Sequence, residues 1–212
     1  TNNETNNETN NETNNEMFII RDCLSNPLLN VIPSQIDNLI YIEMREFINN
    51  NILETFELLN IDNKMIHIVD IGLTGHIKSI LTNKKNIIYE TIDIDSRNDP
   101  TYLCDITQNN NTIINDERFD ITICTEVLEH TNNPIAAINE LKRITKKNGY
   151  IIISTPYNFR IHGPLYDNFR ISEWYYKNIF IKDYSIITMK ALELANRKLC
   201  PINYFLLIKK DN

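Results

Sequence analysis

The residues best suited to chemistry fall into three clusters. Glu126, Glu129 and His130 stand at i, i+3 and i+4, so a helical segment would put all three on one face. Two carboxylates and an imidazole so placed suit a divalent cation; the alternatives are local capping or hydrogen bonding toward a ligand. A second group lies in the run Ser154 to Trp174, which holds His162, Asp167, Arg170 and several aromatic residues. His162 reads as a general base, as a metal ligand beside His130, or as a hydrogen-bonding loop residue. Arg170 can pair with Asp167 to fix the loop, and Ser172 is placed to cap a following helix. Trp174 and Tyr175 read as core of that helix in preference to a lid. The third cluster is the turn from Asp70 to Gly75, where Gly72 and Gly75 would let the backbone take positive φ and approach a ligand closely. Asp93, about twenty residues further on, can accept hydrogen bonds from both hydroxyls of a ribose, a spacing shared by NAD and adenosylmethionine sites. The plainer alternative for Asp93 and Asp95 is a pair of solvated carboxylates at a strand end.

Elements that could position these groups follow from periodicity. Between Ile36 and Leu59 apolar residues recur at threes and fours, which predicts one or two amphipathic helices. Short apolar runs then predict strands at Met65–Val69, Ile87–Ile94, Tyr102–Cys104, Ile121–Cys124, Tyr150–Ile153, Ser185–Met189 and Tyr204–Ile208. Helical patterns fall between them, at His76–Leu81, Pro134–Ile144 and Glu173–Phe180. Strands that read as continuous apolar runs and alternate with helices predict an α/β, doubly wound sheet covered on both faces. Ligands of such sheets sit outside the carboxyl ends of the strands, where the three clusters fall.

The 212 residues suit one domain with a sizeable core. No window is long and apolar enough for a membrane helix, and nothing resembles a secretory leader. The net charge of −7 leaves no basic footprint for nucleic acid, although four of the excess negatives belong to Glu4, Glu8, Glu12 and Glu16. Those glutamates close four copies of the tetrad Thr-Asn-Asn-Glu, which has nothing apolar to bury and is expected to be disordered. Asparagine and isoleucine make up roughly a third of the chain, far above ordinary usage, so loop asparagines carry little information. Cys23, Cys104, Cys124 and Cys200 are scattered without a Cys-x-x-Cys pair, three of them in or beside apolar runs, which predicts reduced, buried thiols in a cytoplasmic compartment and no cysteine-based zinc site. His67, on the first strand, reads as structural.

Taken together, the turn Ile68 to His76, the run Tyr89 to Asp95, Cys104-Asp105-Ile106, the run Phe119 to His130 containing Glu-Val-Leu-Glu-His, and Gly149 to Pro156 ending in Ser-Thr-Pro resemble the class I S-adenosylmethionine-dependent methyltransferases. The branch most like it is the methyltransferase type 11 domain, and the resemblance runs from about Met65 to Phe180. It implies a Rossmann-like, seven-stranded sheet, mostly parallel with the last strand antiparallel. It divides the chain into a 1–16 tail, a 17–62 helical lead-in and a 63–212 catalytic domain.

The resemblance also implies roles. Asp70, Gly72 and Gly75 would line the methionine part of S-adenosylmethionine, Asp93 the ribose, Asp105 and Ile106 the adenine, and Cys124 with Thr125 the floor beneath the sulfonium. A cationic cofactor without phosphate explains why acids line the site. One departure stands out, because Thr74 and His76 occupy positions where the family turn has glycine. Allowing a one-residue deletion instead puts Leu73 at the middle glycine. His162 and His130 are the candidate catalytic residues. No metal is assigned on sequence, Glu126, Glu129, His130 and His162 being the cluster that would hold one, as a similar Glu-x-x-Glu-His string does in some relatives. An Asn-Pro-Pro-Tyr type signature after the fourth strand is missing, which argues against the usual amino-group methyltransferases of DNA bases and release-factor glutamines. The expected activity is O-methylation of a small molecule or saccharide. Alternatives are a non-catalytic protein that keeps the fold, a metal-using RNA 2′-O-methyltransferase, and an NAD-dependent oxidoreductase.

Overall fold

A computed structural model describes residues 32–61, 65–72, 76–81, 84–163 and 166–211. The tetrad tail, Cys23 and Gly75 lie outside the described residues. Eleven principal elements run in the order α1 (Gln35–Leu58), β1 (Ile66–Ile71), α2 (His76–Leu81), β2 (Ile87–Asp93), β3 (Tyr102–Leu103), β4 (Phe119–Thr125), α3 (Pro134–Ile144), β5 (Thr145–Pro156), α4 (Glu173–Ile179), β6 (Tyr184–Glu193) and β7 (Pro201–Lys210).

The strands form one seven-stranded sheet in the order β3-β2-β1-β4-β5-β7-β6. β1 to β5 are parallel, while β7 runs antiparallel between β5 and β6. The expected sheet is thus present, with its reversal of strand direction at β7. Strand order reverses between β1 and β4, so the carboxyl ends of these two strands flank the crevice where α/β sheets hold ligands.

Both faces of the sheet are apolar, and the two-residue period sorts the side chains between them. Ile151, Ile153, Leu206 and Ile208 join Ala137, Ile138, Leu141 and Tyr176 on one side, packing under α3 and α4. Ile121, Ile123, Ile152, Phe205 and Leu207 pack on the other with Ile48, Ile52 and Phe56 of α1 and with Ile77 and Leu81 of α2. Burying both faces explains why the central strands read as unbroken apolar runs.

Local sequence explains the helix limits. α1 is a single helix whose buried stripe, Met44, Ile48, Ile52 and Phe56, repeats every four residues. It starts in a capping box: the Ser34 hydroxyl accepts from Asp37 N at 3.2 Å, and the Asp37 carboxylate accepts from Ser34 N at 3.0 Å. Asn133 caps α3 ahead of Pro134, and Ser172 caps α4 as expected. Trp174 corrects the core assignment, because it is 69% exposed beside Lys177. Tyr176 takes the core position instead, its hydroxyl 2.8 Å from Thr155 Oγ1. A short helix can bury only one stripe, and hydrogen bonding lets that stripe accept a tyrosine. Cys104, Cys124 and Cys200 are free thiols, and Cys124 alone of these is buried. Among the described residues no helix is long and apolar enough to cross a membrane.

Candidate active site

The segment after β4 departs from the expected helix. Glu126 takes a left-handed conformation, with φ of 57°, and only Leu128–His130 makes a tight 3-10 turn. Glu126 therefore does not share a face with Glu129. Its backbone N–H donates to Ser154 O at 3.0 Å, and its Oε1 accepts from Ser154 Oγ and Asn203 Nδ2, each at 2.9 Å. The side chain is tied to β5 and β7 and away from the histidines. Desolvation, with the Glu129 charge behind it, raises the Glu126 carboxyl to about 7.

Glu129, His130 and His162 are brought together, with one ligand-capable atom from each lying within 4.8 Å of the others. Glu129 is fully buried, and neither carboxylate oxygen has a hydrogen-bond partner among the described residues. Nε2 of His130 and Nε2 of His162 each lie 3.7 Å from Glu129 Oε1. Their other nitrogens are engaged: His130 Nδ1 is 2.8 Å from Tyr166 O, and His162 Nδ1 is 3.1 Å from Asp167 Oδ2. A carbonyl and a carboxylate only accept, so each neutral ring carries its proton on Nδ1 and turns the Nε2 lone pair toward Glu129. Burial pushes the Glu129 carboxyl up to about 7, and His130 would oppose the rise only when protonated. One buried carboxylate without donors and two imidazoles with satisfied outer nitrogens form a donor set suited to a divalent metal ion.

The loop from Tyr157 to Arg170 is stitched over this cluster. Asn168 N and Phe169 N donate to Glu129 O at 2.7 and 3.2 Å, and Asn168 Nδ2 donates to Thr131 O at 3.0 Å. Asp167, whose side chain is nearly sealed from solvent, accepts from both guanidinium nitrogens of Arg170. Burial works against its ionisation, but the Arg170 hydrogen bonds and the His162 N–H outweigh it and hold the carboxyl below its ordinary range. Arg170 thus pairs with Asp167 as the spacing suggested. Outside the pair, Tyr157, Phe159, Ile161 and Phe169 help line an open cleft of about 300 Å³.

The acids proposed for the cofactor lie at successive strand ends. Asp70 is buried near the end of β1, and its Oδ2 accepts from the Tyr89 hydroxyl at 2.7 Å. Asp93 ends β2, accepting from Asp95 N and Asn98 Nδ2 at 2.8 Å each. Asp105 follows β3, with Oδ1 bonded to Thr107 N and Oγ1, and Ile106 beside it is buried. Buried Cys124 and Thr125 end β4 between these acids and the histidine cluster. Gly72 has φ of 75°, and a Cβ there would meet Val127 Cγ2 at 2.5 Å. Its missing side chain admits the segment after β4. Three acids and no basic group among these residues suit a cation without phosphate.

Tyr89 and Asn203 were not singled out from sequence. Tyr89 sits inside an ordinary strand run, and Asn203 is hidden by the abundance of asparagine. No periodicity marks either one, since each matters through a partner remote in sequence, Asp70 on the neighbouring strand for Tyr89 and Glu126 after β4 for Asn203.

Comparison with known proteins agrees with this geometry. A family model described as a methyltransferase domain matches residues 42–198. A ubiquinone biosynthesis O-methyltransferase of Haemophilus ducreyi is 39% identical over 46 residues, 22% of this chain and 20% of that enzyme, so the match spans only about a fifth of the relative. Among solved structures, a DszA carbon methyltransferase superposes with a TM-score of 0.59 at 15% identity, over 80% of this chain and 54% of its own. A sarcosine dimethylglycine methyltransferase assignment from Galdieria sulphuraria gives 0.57 at 11% identity, over 80% and 86%. At such identities these structures speak to the fold alone. Family match, sheet order and the acid-lined strand ends lead to one conclusion: the chain belongs to the class I S-adenosylmethionine-dependent methyltransferases.

Proposed function

We propose that this chain moves a methyl group from S-adenosylmethionine to a hydroxyl oxygen of a small molecule or sugar, with Glu129, His130 and His162 on the acceptor side. The observation that carries the reading is the Glu129 carboxylate, buried without a donor and facing two ring nitrogens 3.7 Å away. Three converging lone-pair donors repel one another unless they share a proton or a metal ion, and the set fits a divalent metal ion. When bound, such an ion lowers the pKa of a nearby hydroxyl, and S-adenosylmethionine when bound supplies an electrophilic methyl on sulfonium sulfur. The chain's own residues then bind and align. Asp93 holds the ribose, Asp105 and Ile106 the adenine, and Asp70 the ammonium of the methionine part, with Gly72 beside it. Cys124 and Thr125 floor the sulfonium, and the loop carrying His162 keeps water from the acceptor. Methyl transfer is an in-line displacement, so alignment is the larger part of what the protein contributes.

An oxygen acceptor is favoured because a neutral amine needs no group to take up its proton before attack. The O-methyltransferase name of the relative from Haemophilus ducreyi supports the same choice. The acidic chain disfavours a large nucleic acid. The free thiols of Cys104, Cys124 and Cys200 support a reducing, cytoplasmic setting. Without a metal, the same geometry allows His162 Nε2 to take the hydroxyl proton, with Glu129 stabilising the resulting imidazolium. Calorimetric titration with S-adenosylmethionine is the first test. Binding in the micromolar range is expected, and no heat at high micromolar concentration would overturn the methyl-transfer reading in favour of a non-catalytic protein with this fold or the oxidoreductase alternative.

A further inference from the structure

We propose that Asp167 is a positioning residue that locks His162 in the Nδ1–H tautomer and aims its Nε2 at Glu129. The inference rests on the reading of Glu129, His130 and His162 as a metal site and assigns a new role outside that set.

One carboxylate oxygen, Asp167 Oδ2, accepts from the backbone N–H of His162 at 3.0 Å and lies 3.1 Å from His162 Nδ1. Main chain and ring of the same residue are therefore gripped at one point, which fixes the ring's rotation as well as its tautomer. The opposite tautomer would put the Nδ1 lone pair against the carboxylate, in a place with little water to screen the repulsion. Arg170 grips both carboxylate oxygens, Nη1 donating to Oδ1 and Nη2 to the same Oδ2 at 2.7 Å, so Asp167 stays ionised and cannot rotate away. The next two residues, Asn168 and Phe169, donate their backbone N–H groups to Glu129 O. One short segment thus sets both His162 and the turn that carries Glu129. His130 has a plainer arrangement, its Nδ1 facing the Tyr166 carbonyl, so a side chain enforces the tautomer only at His162. Outer partners of this kind typically change metal affinity by about 10 to 100-fold.

The test uses the full chain and two readouts, neither of which is activity. Long-range ¹⁵N–¹H correlation spectra of the metal-free wild type at pH 8, with His162 assigned through His162→Gln, should show its proton on Nδ1. Asp167→Asn should convert it to a mixture of tautomers and weaken Co²⁺ binding, read from visible absorption, by about 10 to 100-fold. An Nε2–H tautomer in the wild type would overturn the proposal without any variant, so an Asp167→Asn chain that fails to fold does not rescue it. Equal tautomer and equal Co²⁺ affinity in the two proteins would overturn it while leaving the metal reading intact. If the tautomer responds to Asp167→Asn but neither protein takes up Co²⁺, the positioning role stands and the metal reading falls.

Discussion

Burial pushes the Asp70 carboxyl up to about 7, against the Tyr89 hydrogen bond that opposes it and with the Asp93 charge adding to the rise. An unfolded aspartate titrates near pH 4, so the fold binds this proton more tightly than the unfolded chain does. Its contribution to stability is complete below about pH 4 and is lost as pH rises to about 7, and Glu126 and Glu129 act in the same direction. Cofactor binding should have the opposite dependence, because an ammonium group needs the carboxylate ionised. Affinity for S-adenosylmethionine should therefore rise by up to about tenfold per pH unit between pH 6 and 7. Asp70→Asn should flatten that profile and raise the melting temperature near neutrality; titrations across this range would reveal an unchanged slope if the carboxyl is not involved. At Asp93 a ribose contact predicts about 10 to 100-fold weaker binding in Asp93→Ala, the range expected for hydrogen bonds to a charged group. Unaltered affinity in calorimetry would remove that residue from the site. The types of these acids were readable from sequence. Their protonation was not, because it depends on burial and on partners such as Tyr89 that lie on another strand.

Elements were legible wherever one physical signal dominated. The apolar stripe of α1 and the runs of β1, β2 and β4 announce themselves because burial on one stripe or on both faces selects their side chains. The apolar run predicts β5 from Tyr150, whereas the strand begins at Thr145, since Lys146, Lys147 and Asn148 mask its first half. That half is held by polar contacts, Thr122 Oγ1 to Thr145 Oγ1 at 2.8 Å and Lys146 to Asp120 at 2.9 Å. Helical spacing at Glu126, Glu129 and His130 misled for a related reason: the positive φ of Glu126 is stabilised by Ser154 and Asn203, which are remote in sequence. Two glycines test the element packing. A Cβ on Gly149 would meet the carbonyl oxygens of Lys146 and Asp120 at 2.8 and 2.9 Å, and backbone cannot step aside. Gly149→Ala should cost about 1–3 kcal/mol in urea unfolding. At Gly72, alanine should lose about 1–2 kcal/mol to the positive φ and more to the Val127 side chain. Adding Val127→Ala should recover only the second part, and full recovery would mean that backbone conformation is not what keeps a glycine there.

For the whole molecule, sheet order matters more than any single contact. Placing β1 and β4 side by side brings the Asp70 and Asp93 strand ends next to the turn that carries Glu129 and His130, so the groups proposed for cofactor and acceptor share one edge. That edge presents acids where a dinucleotide site would need anion-binding groups, so millimolar NAD should fail to displace bound S-adenosylmethionine. Displacement would favour the oxidoreductase alternative at the level of binding. The general architecture was visible in the alternation of runs and helices, whereas the meeting of His162 with Glu129 and His130 was legible only as one of several readings of His162, because it requires the loop after β5 to fold back across β4. The central claim is methyl transfer to oxygen at that meeting point. Its most direct test is incubation with methyl-labelled S-adenosylmethionine and a panel of hydroxylated small molecules and sugars, with mass spectrometry locating the label and with Glu129→Gln and a chelator in parallel. The label should appear on a hydroxyl oxygen, be lost with Glu129→Gln and with chelator, and be restored by added divalent metal. Label on carbon or nitrogen, or O-methylation unaffected by both treatments, would contradict the central claim.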